Sequence, residues 1–165
     1  MGPTGNCGRL IPCDNVRYAN LMSQPTLSSL RQACVIVRAG GRCGTGFFVR
    51  SDLVLTCLHV VKDAVDNQSP IIVELRSRSV AAHLSSYDYE QDVAALRLDD
   101  PVGEIAPLSI AATGYKISVR QAVEFFGFPS SANSSGQLFH GEVDDVCGQD
   151  LRGGSALVIY SRNIT

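Results

Sequence analysis

The sequence predicts an all-β architecture in two halves, a first barrel that is complete and a second that is partial, preceded by a short helix. Three observations lead there. From Cys34 onward, short runs rich in Val, Ile, Leu and Phe recur between clusters of turn residues, the texture of a closed or sandwiched β domain. Six such runs precede residue 99 and three follow residue 117, and the segment between them holds Asp99-Asp-Pro101, Pro107 and Gly114, breakers that mark a long connection. A chain of 165 residues is long enough to bury a core of its own without disulfide or metal staples, and too short for two full domains.

Each element has a local reason. Residues 1–22 mix Gly, Pro, Asn, Arg and Cys without a sustained period, which predicts a flexible leader. Over residues 23–33 a helix is predicted: Ser23 caps it, Pro25 suits its first turn, and Leu27, Leu30 and Ala33 repeat at helical spacing. Strands follow at 34–38, 45–50, 53–57, 71–75, 79–84 and 93–98, making a first barrel of about 34–98. Its first two strands are separated by a flexible loop, Ala39-Gly-Gly-Arg-Cys-Gly44, and Pro70 opens a strand where a missing amide hydrogen does least harm. His59 to Val65 is its one helix-like turn. After a linker of about 99–117, strands near 119–126, 137–143 and 155–160 form a partial second barrel of about 118–165. That is about three strands short of the closure that removes exposed edges.

Charge and composition exclude several classes of function. Lys plus Arg number 14 against 16 acidic residues, and no basic run is present that would neutralise several phosphates at once, so nucleic acid is not an expected partner. Met1 to Leu10 lacks a basic segment followed by an apolar run. Gly2 sits as at a myristoylation site, but Asn6 stands where Ser or Thr is wanted. Apolar stretches such as Leu53 to Val61 are under half a bilayer crossing. These features predict a cytoplasmic chain with no membrane partner. In that compartment Cys7, Cys13, Cys34, Cys43, Cys57 and Cys147 read as free buried thiols rather than bridges. Cys7 and Cys13 have no second ligand pair of matching spacing, so no metal site is expected from them.

Three motifs carry the chemistry. Gly44-Thr-Gly-Phe-Phe-Val49 leads into Asp52-Leu-Val-Leu-Thr-Cys-Leu-His-Val60, a hairpin whose second strand runs out into a His at the head of a helical turn. Asp92-Val-Ala-Ala-Leu-Arg-Leu98 puts an Asp immediately before a buried strand, and Phe125-Phe-Gly-Phe-Pro129 ends a strand in a Gly-aromatic-Pro turn. Together these resemble the trypsin-like serine proteases of the chymotrypsin fold, most closely the intracellular and bacterial branch that includes the high-temperature-requirement proteases. The resemblance covers roughly residues 32–145 and implies a chymotrypsin-like double β-barrel with residues 23–165 as one trypsin-like domain. It further implies a protein or peptide substrate, no cofactor, and hydrolysis through a Ser-His-Asp triad in which His59 is the general base and Asp92 its orienting carboxylate. His is the side chain able to take and return a proton near neutrality, and a carboxylate beside it fixes its tautomer.

The nucleophile is where the sequence departs from the family. Members carry Gly-x-Ser-Gly-Gly-Pro-Leu or a close variant, which presents the serine and the oxyanion-hole amides, and this string is absent. Gly153-Gly-Ser-Ala-Leu-Val158 allows three readings. Ser155 is the nucleophile of a degenerate loop; or Gly153 occupies the nucleophile position in an inactive domain; or Ser155 to Tyr160 is the strand that precedes a nucleophile loop lying outside the chain. The third accounts at once for the missing motif and the missing strands. It predicts a second polypeptide segment that completes the second barrel, and its alternative is a catalytically inactive domain that binds protein.

The remaining side chains have plainer readings. A single His at a strand end is commonly just a satisfied polar group, but His59 and Asp92 both stand at strand boundaries, where scaffold-borne catalytic residues tend to sit. Cys57, two residues before His59, is expected to pack in the core beneath it by strand alternation. His83 and His140 receive no role, and Asp144, Asp145 and Asp150 read as solvated loop charges around a turn at Gly148. Phe47 and Phe48 are adjacent, so only one of them faces the barrel interior.

Overall fold

A computed structural model describes residues 26–103, 105–110, 116–129, 135–149 and 155–161, the last segment and residues 145–149 by backbone alone. Helix α1 (Leu27–Ala33) leads into β1 (Cys34–Ala39), β2 (Arg42–Arg50), β3 (Leu53–Cys57), α2 (Leu58–Asp66), β4 (Ile71–Glu74), β5 (Ser79–Asp88) and β6 (Val93–Leu98). These six strands close into a barrel in the order β1-β2-β3-β6-β5-β4, every pairing antiparallel. Strands β7 (Ala122–Gly127), β8 (Gln137–Gln149) and β9 (Ser155–Ser161) form a separate three-stranded sheet. A closed first barrel and a partial second sheet are the architecture predicted, a chymotrypsin-like fold.

Alternation along each strand builds the core. Val35, Val37 and Ala39 of β1, Ile71 and Val73 of β4, and Ala94, Leu96 and Leu98 of β6 point inward and are buried, as period-two patterning requires. Phe48 is fully buried while Phe47 is only half-buried. Helix α2 closes one end of the barrel with Leu58, Val60, Val61 and Ala64, all buried. Val37, Phe48, Val54, Val61, Val73 and Leu96 are completely excluded from solvent, and each such side chain contributes about 1.5–3 kcal/mol through apolar burial.

Several boundaries differ from expectation. Helix α1 is capped by Thr26, whose Oγ1 accepts from the Ser29 amide at 3.2 Å; Ser23 and Pro25 lie outside the described residues. The loop predicted at 39–44 is a two-residue hairpin turn, because Gly40 and Gly41 both take positive φ, 56° and 85°, which lets the strands turn tightly. Strand β5 runs on to Asp88 through a register shift between Leu84 and Ser86. Strand β8 runs to Gln149 through two shifts, so Asp144, Asp145 and Gly148 belong to an irregular strand rather than to a turn.

The connection from 99 onward is fastened to the first barrel by backbone bonds: Asp99 N to Ala81 O at 3.0 Å, Val102 N to Ser51 O at 2.9 Å and Leu108 N to Phe48 O at 2.8 Å. The second sheet meets the barrel at Thr45. Its Oγ1 accepts from the Phe128 amide at 2.7 Å, and its carbonyl accepts from the buried Thr56 hydroxyl at 2.8 Å. Phe126 is buried beside Phe128 in an edge-to-face pair, ring centroids 5.5 Å apart. No helix among the described residues is long and apolar enough to cross a membrane.

Candidate active site

The junction between β3 and α2 positions His59. The first amides of a helix have no partner within it, and Cys57, the N-cap residue of α2, makes no side-chain capping bond. Asp92, at the head of the adjacent strand β6, supplies what is missing. Its carbonyl accepts from the Leu58 amide at 3.0 Å, and its Oδ1 accepts from the His59 amide at 2.9 Å. The other carboxylate oxygen, Oδ2, lies 2.6 Å from His59 Nδ1. One aspartate therefore caps the helix and holds the imidazole that the helix carries.

Three further features fix this arrangement. Asp92 adopts φ = 54°, a left-handed conformation that costs a residue other than glycine about 1–3 kcal/mol and persists only where its surroundings hold it. Antiparallel pairing of β3 with β6, Cys57 opposite Val93, brings Asp92 up to the start of α2. Gly44 allows α2 to approach β2: a Cβ there would stand 2.5 Å from Val60 Cγ2. The first glycine of Gly44-Thr-Gly46 is thus explained by the helix residue next to His59.

The chemistry follows from the polarity of the pair. A carboxylate only accepts, so Nδ1 carries the proton that is donated to Asp92, and Nε2 keeps its lone pair as the basic nitrogen. The His59 side chain is 53% exposed against 27% for Asp92, so the imidazole faces solvent while the carboxylate is the more sheltered. Both site hydrogen bonds of His59, amide and ring, go to Asp92.

Cys57 departs from expectation. It is exposed, because the alternation of β3 turns Val54 and Thr56 inward and places Cys57 on the outward face with Leu53 and Leu55. Its thiol pKa is raised by burial of the sulfur and by the Asp92 charge, which keeps it protonated. Cys34 and Cys43 are also free, but Cys34 is only half-buried and Cys43 is exposed, so the expectation of buried thiols fails for these three. Cys7 and Cys13 lie outside the described residues. His83 pairs with Asp99 at 3.0 Å, and His140 with Glu124 across β7 and β8 at 3.2 Å, at the protein surface. Ser155 opens β9 opposite Gln149; its side chain is outside the described residues.

A profile of the trypsin-like peptidase domain matches residues 44–163, well over half of the chain. The chain belongs to the trypsin-like peptidase family. The expected resemblance to this family holds. No curated protein sequence matches significantly. Among solved structures, this trypsin-like peptidase domain is similar to the inactive form of the Rv3671c protease of M. tuberculosis, at 22% identity and TM-score 0.57, over 81% of this chain and 64% of that one. It also resembles a serine endoprotease from Yersinia pestis, at 19% identity and TM-score 0.60, over 84% and 55% of the two chains. Deg5 matches at 15% identity and TM-score 0.62, over 82% and 70%. At these identities the likeness is one of fold. The chain spans less than two thirds of the length of the first two.

Proposed function

We propose that this domain is part of a trypsin-like serine endopeptidase, with His59 as general base, Asp92 as its orienting carboxylate, and the nucleophilic serine on a polypeptide segment other than these 165 residues. The observation that carries the reading is the 2.6 Å contact between His59 Nδ1 and Asp92 Oδ2, on a base whose Nε2 is left for chemistry. In the reaction, Nε2 takes the serine proton as Oγ attacks the peptide carbonyl. The imidazolium, steadied by Asp92, returns that proton to the leaving amine, and a water activated in the same way releases the acyl group. The substrate class is protein or peptide, and no nucleic acid, membrane or cofactor enters the scheme. Support for an external serine is the absence of Gly-x-Ser-Gly from the sequence, together with a second sheet of three strands among the described residues.

A second reading is favoured by that same sheet: a non-hydrolytic module that binds protein by adding a strand at an edge of β7-β8-β9. A fluorophosphonate probe, which labels only an activated serine, separates the cases by intact mass. The chain alone is expected to stay unlabelled, and a mixture with a polypeptide carrying Gly-x-Ser-Gly to become labelled on that polypeptide, with labelling lost in His59→Ala. An adduct on Ser155 of the chain alone would overturn the external nucleophile. Partner capture that survives His59→Ala, with no labelling in any mixture, would favour the binding module.

A further inference from the structure

The sulfur of Cys57 is part of neither role assigned above, yet it shares its surroundings with both groups of the pair. Cys57 Sγ, a ring nitrogen of His59 and a carboxylate oxygen of Asp92 all lie within 4.8 Å of one another. One thiol, one imidazole and one carboxylate converge at the start of α2. The geometry points to an inhibitory site for a thiophilic divalent cation, Zn²⁺ in the first place, formed by Cys57, His59 and Asp92.

The donor set decides which cation fits. Thiolate and imidazole favour zinc and similar borderline-soft ions over Mg²⁺ and Ca²⁺, which prefer shells made wholly of oxygen. Zinc bonds of about 2.0–2.3 Å put tetrahedral ligand atoms roughly 3.3–3.6 Å apart. Donors already within 4.8 Å reach that spacing by side-chain rotation of about an ångström, without backbone movement. Cys57 is exposed and the His59 side chain is 53% exposed, which leaves the fourth position to water. When the sulfur binds, its proton leaves to solvent and the S–Zn bond takes its place.

Occupancy and base catalysis exclude one another. The 2.6 Å between His59 Nδ1 and Asp92 Oδ2 is shorter than a tetrahedral edge, so an ion bridging those two atoms parts them and removes the hydrogen bond that orients the ring. An ion on Nε2 occupies the lone pair itself. The inhibitory consequence rests on His59 being the base of the proposed function; binding itself does not require that the chain hydrolyse anything, so failure of the binding test and failure of that reading are distinguishable.

The test uses the full chain with Co²⁺ as spectroscopic probe, in a Cys7→Ser/Cys13→Ser/Cys34→Ser/Cys43→Ser/Cys147→Ser background that leaves Cys57 as the one thiol. Expected are a near-ultraviolet thiolate-to-Co²⁺ band at one equivalent, its displacement by Zn²⁺ but not by Mg²⁺, and its loss in both Cys57→Ser and His59→Asn. Each of these variants should weaken Zn²⁺ by at least about tenfold, with thermal unfolding confirming that both are folded. No band, a band that survives Cys57→Ser, or a band lost in Cys57→Ser but intact in His59→Asn would each overturn the three-donor site.

Discussion

Replacing Gly46 with alanine tests whether the second glycine of the Gly44-Thr-Gly46 motif serves packing. A Cβ at that position would lie 2.7 Å from Val54 Cγ1, 2.8 Å from Val37 Cγ2 and 3.1 Å from the Leu55 carbonyl oxygen. Ordinary carbon–carbon contacts sit at about 3.5–4.0 Å, so the methyl intrudes by most of an ångström on two sides at once. Val37 and Val54 are both completely buried and, being β-branched, are held to one rotamer. The strain falls on strand β2 itself. Overpacking of this kind costs about 1–3 kcal/mol, and the two-sided clash belongs at the upper end. The lower entropy of an unfolded alanine returns about 0.4–1 kcal/mol. The net expectation is destabilisation by about 2 kcal/mol, equivalent to a drop in Tm of roughly 4–8 °C for a domain of this size. Urea unfolding of the full chain, followed by circular dichroism, measures it. Gly103→Ala is the control, since a Cβ there meets nothing within 4 Å, and should stay within about 0.5 kcal/mol of the parent. A Gly46→Ala variant as stable as Gly103→Ala would refute the packing argument.

Other consequences are open to direct measurement. Burial raises the Cys34 thiol to about 11, so at pH 8 iodoacetamide should modify exposed Cys43 well before Cys34, as peptide mapping would show; equal rates would contradict it. Because the fold favours the protonated form of Cys34, its contribution to stability is full below the ordinary thiol value of 9.0 and is lost as pH rises through about 11; a urea midpoint that does not fall over that range, once Cys34→Ala is subtracted, would contradict the sign. Thr45→Val removes the acceptor of the Phe128 amide and should cost about 1–3 kcal/mol, with hydrogen exchange at Phe128 accelerating before that of the barrel core. Asp92→Asn keeps a residue type that tolerates left-handed φ but weakens two charge-assisted bonds. It should lose about 1–3 kcal/mol, with faster amide exchange at His59 than in His59→Ala at residue 59.

The first barrel was legible because its strands are short and its apolar residues alternate. Val93 to Leu98 reads out its inward set, Ala94, Leu96 and Leu98, from the sequence alone, and both β3 and β6 have the predicted boundaries. Regions where polar residues continue a strand were not legible. Ser85-Ser-Tyr-Asp88 has no apolar alternation and extends β5 only because β6 pairs with it. Gly148 signals a turn locally but is carried inside β8 by pairing with Ala156. At the candidate site, the two residues that the motifs single out, His59 and Asp92, lie in hydrogen-bond contact. The exposure of Cys57 was not legible, because both faces of β3 carry apolar residues, and it is Val54 and Thr56 rather than Leu53, Leu55 and Cys57 that turn inward. Nor was the left-handed backbone of Asp92, which is imposed by the bonds it makes to Leu58 and His59.

The double duty of Asp92 makes the two members of the pair unequal in what they can afford to lose. Truncating His59 removes a half-exposed ring whose absence leaves every strand and the helix start intact. Truncating Asp92 strips α2 of its cap and leaves a residue stranded in a left-handed conformation that it no longer has reason to hold. A lineage released from hydrolysis would therefore drift first at the imidazole and keep the carboxylate as architecture, so in a domain of this build an aspartate standing alone at the head of β6 is a mark of the fold, and only the histidine beside it speaks for chemistry.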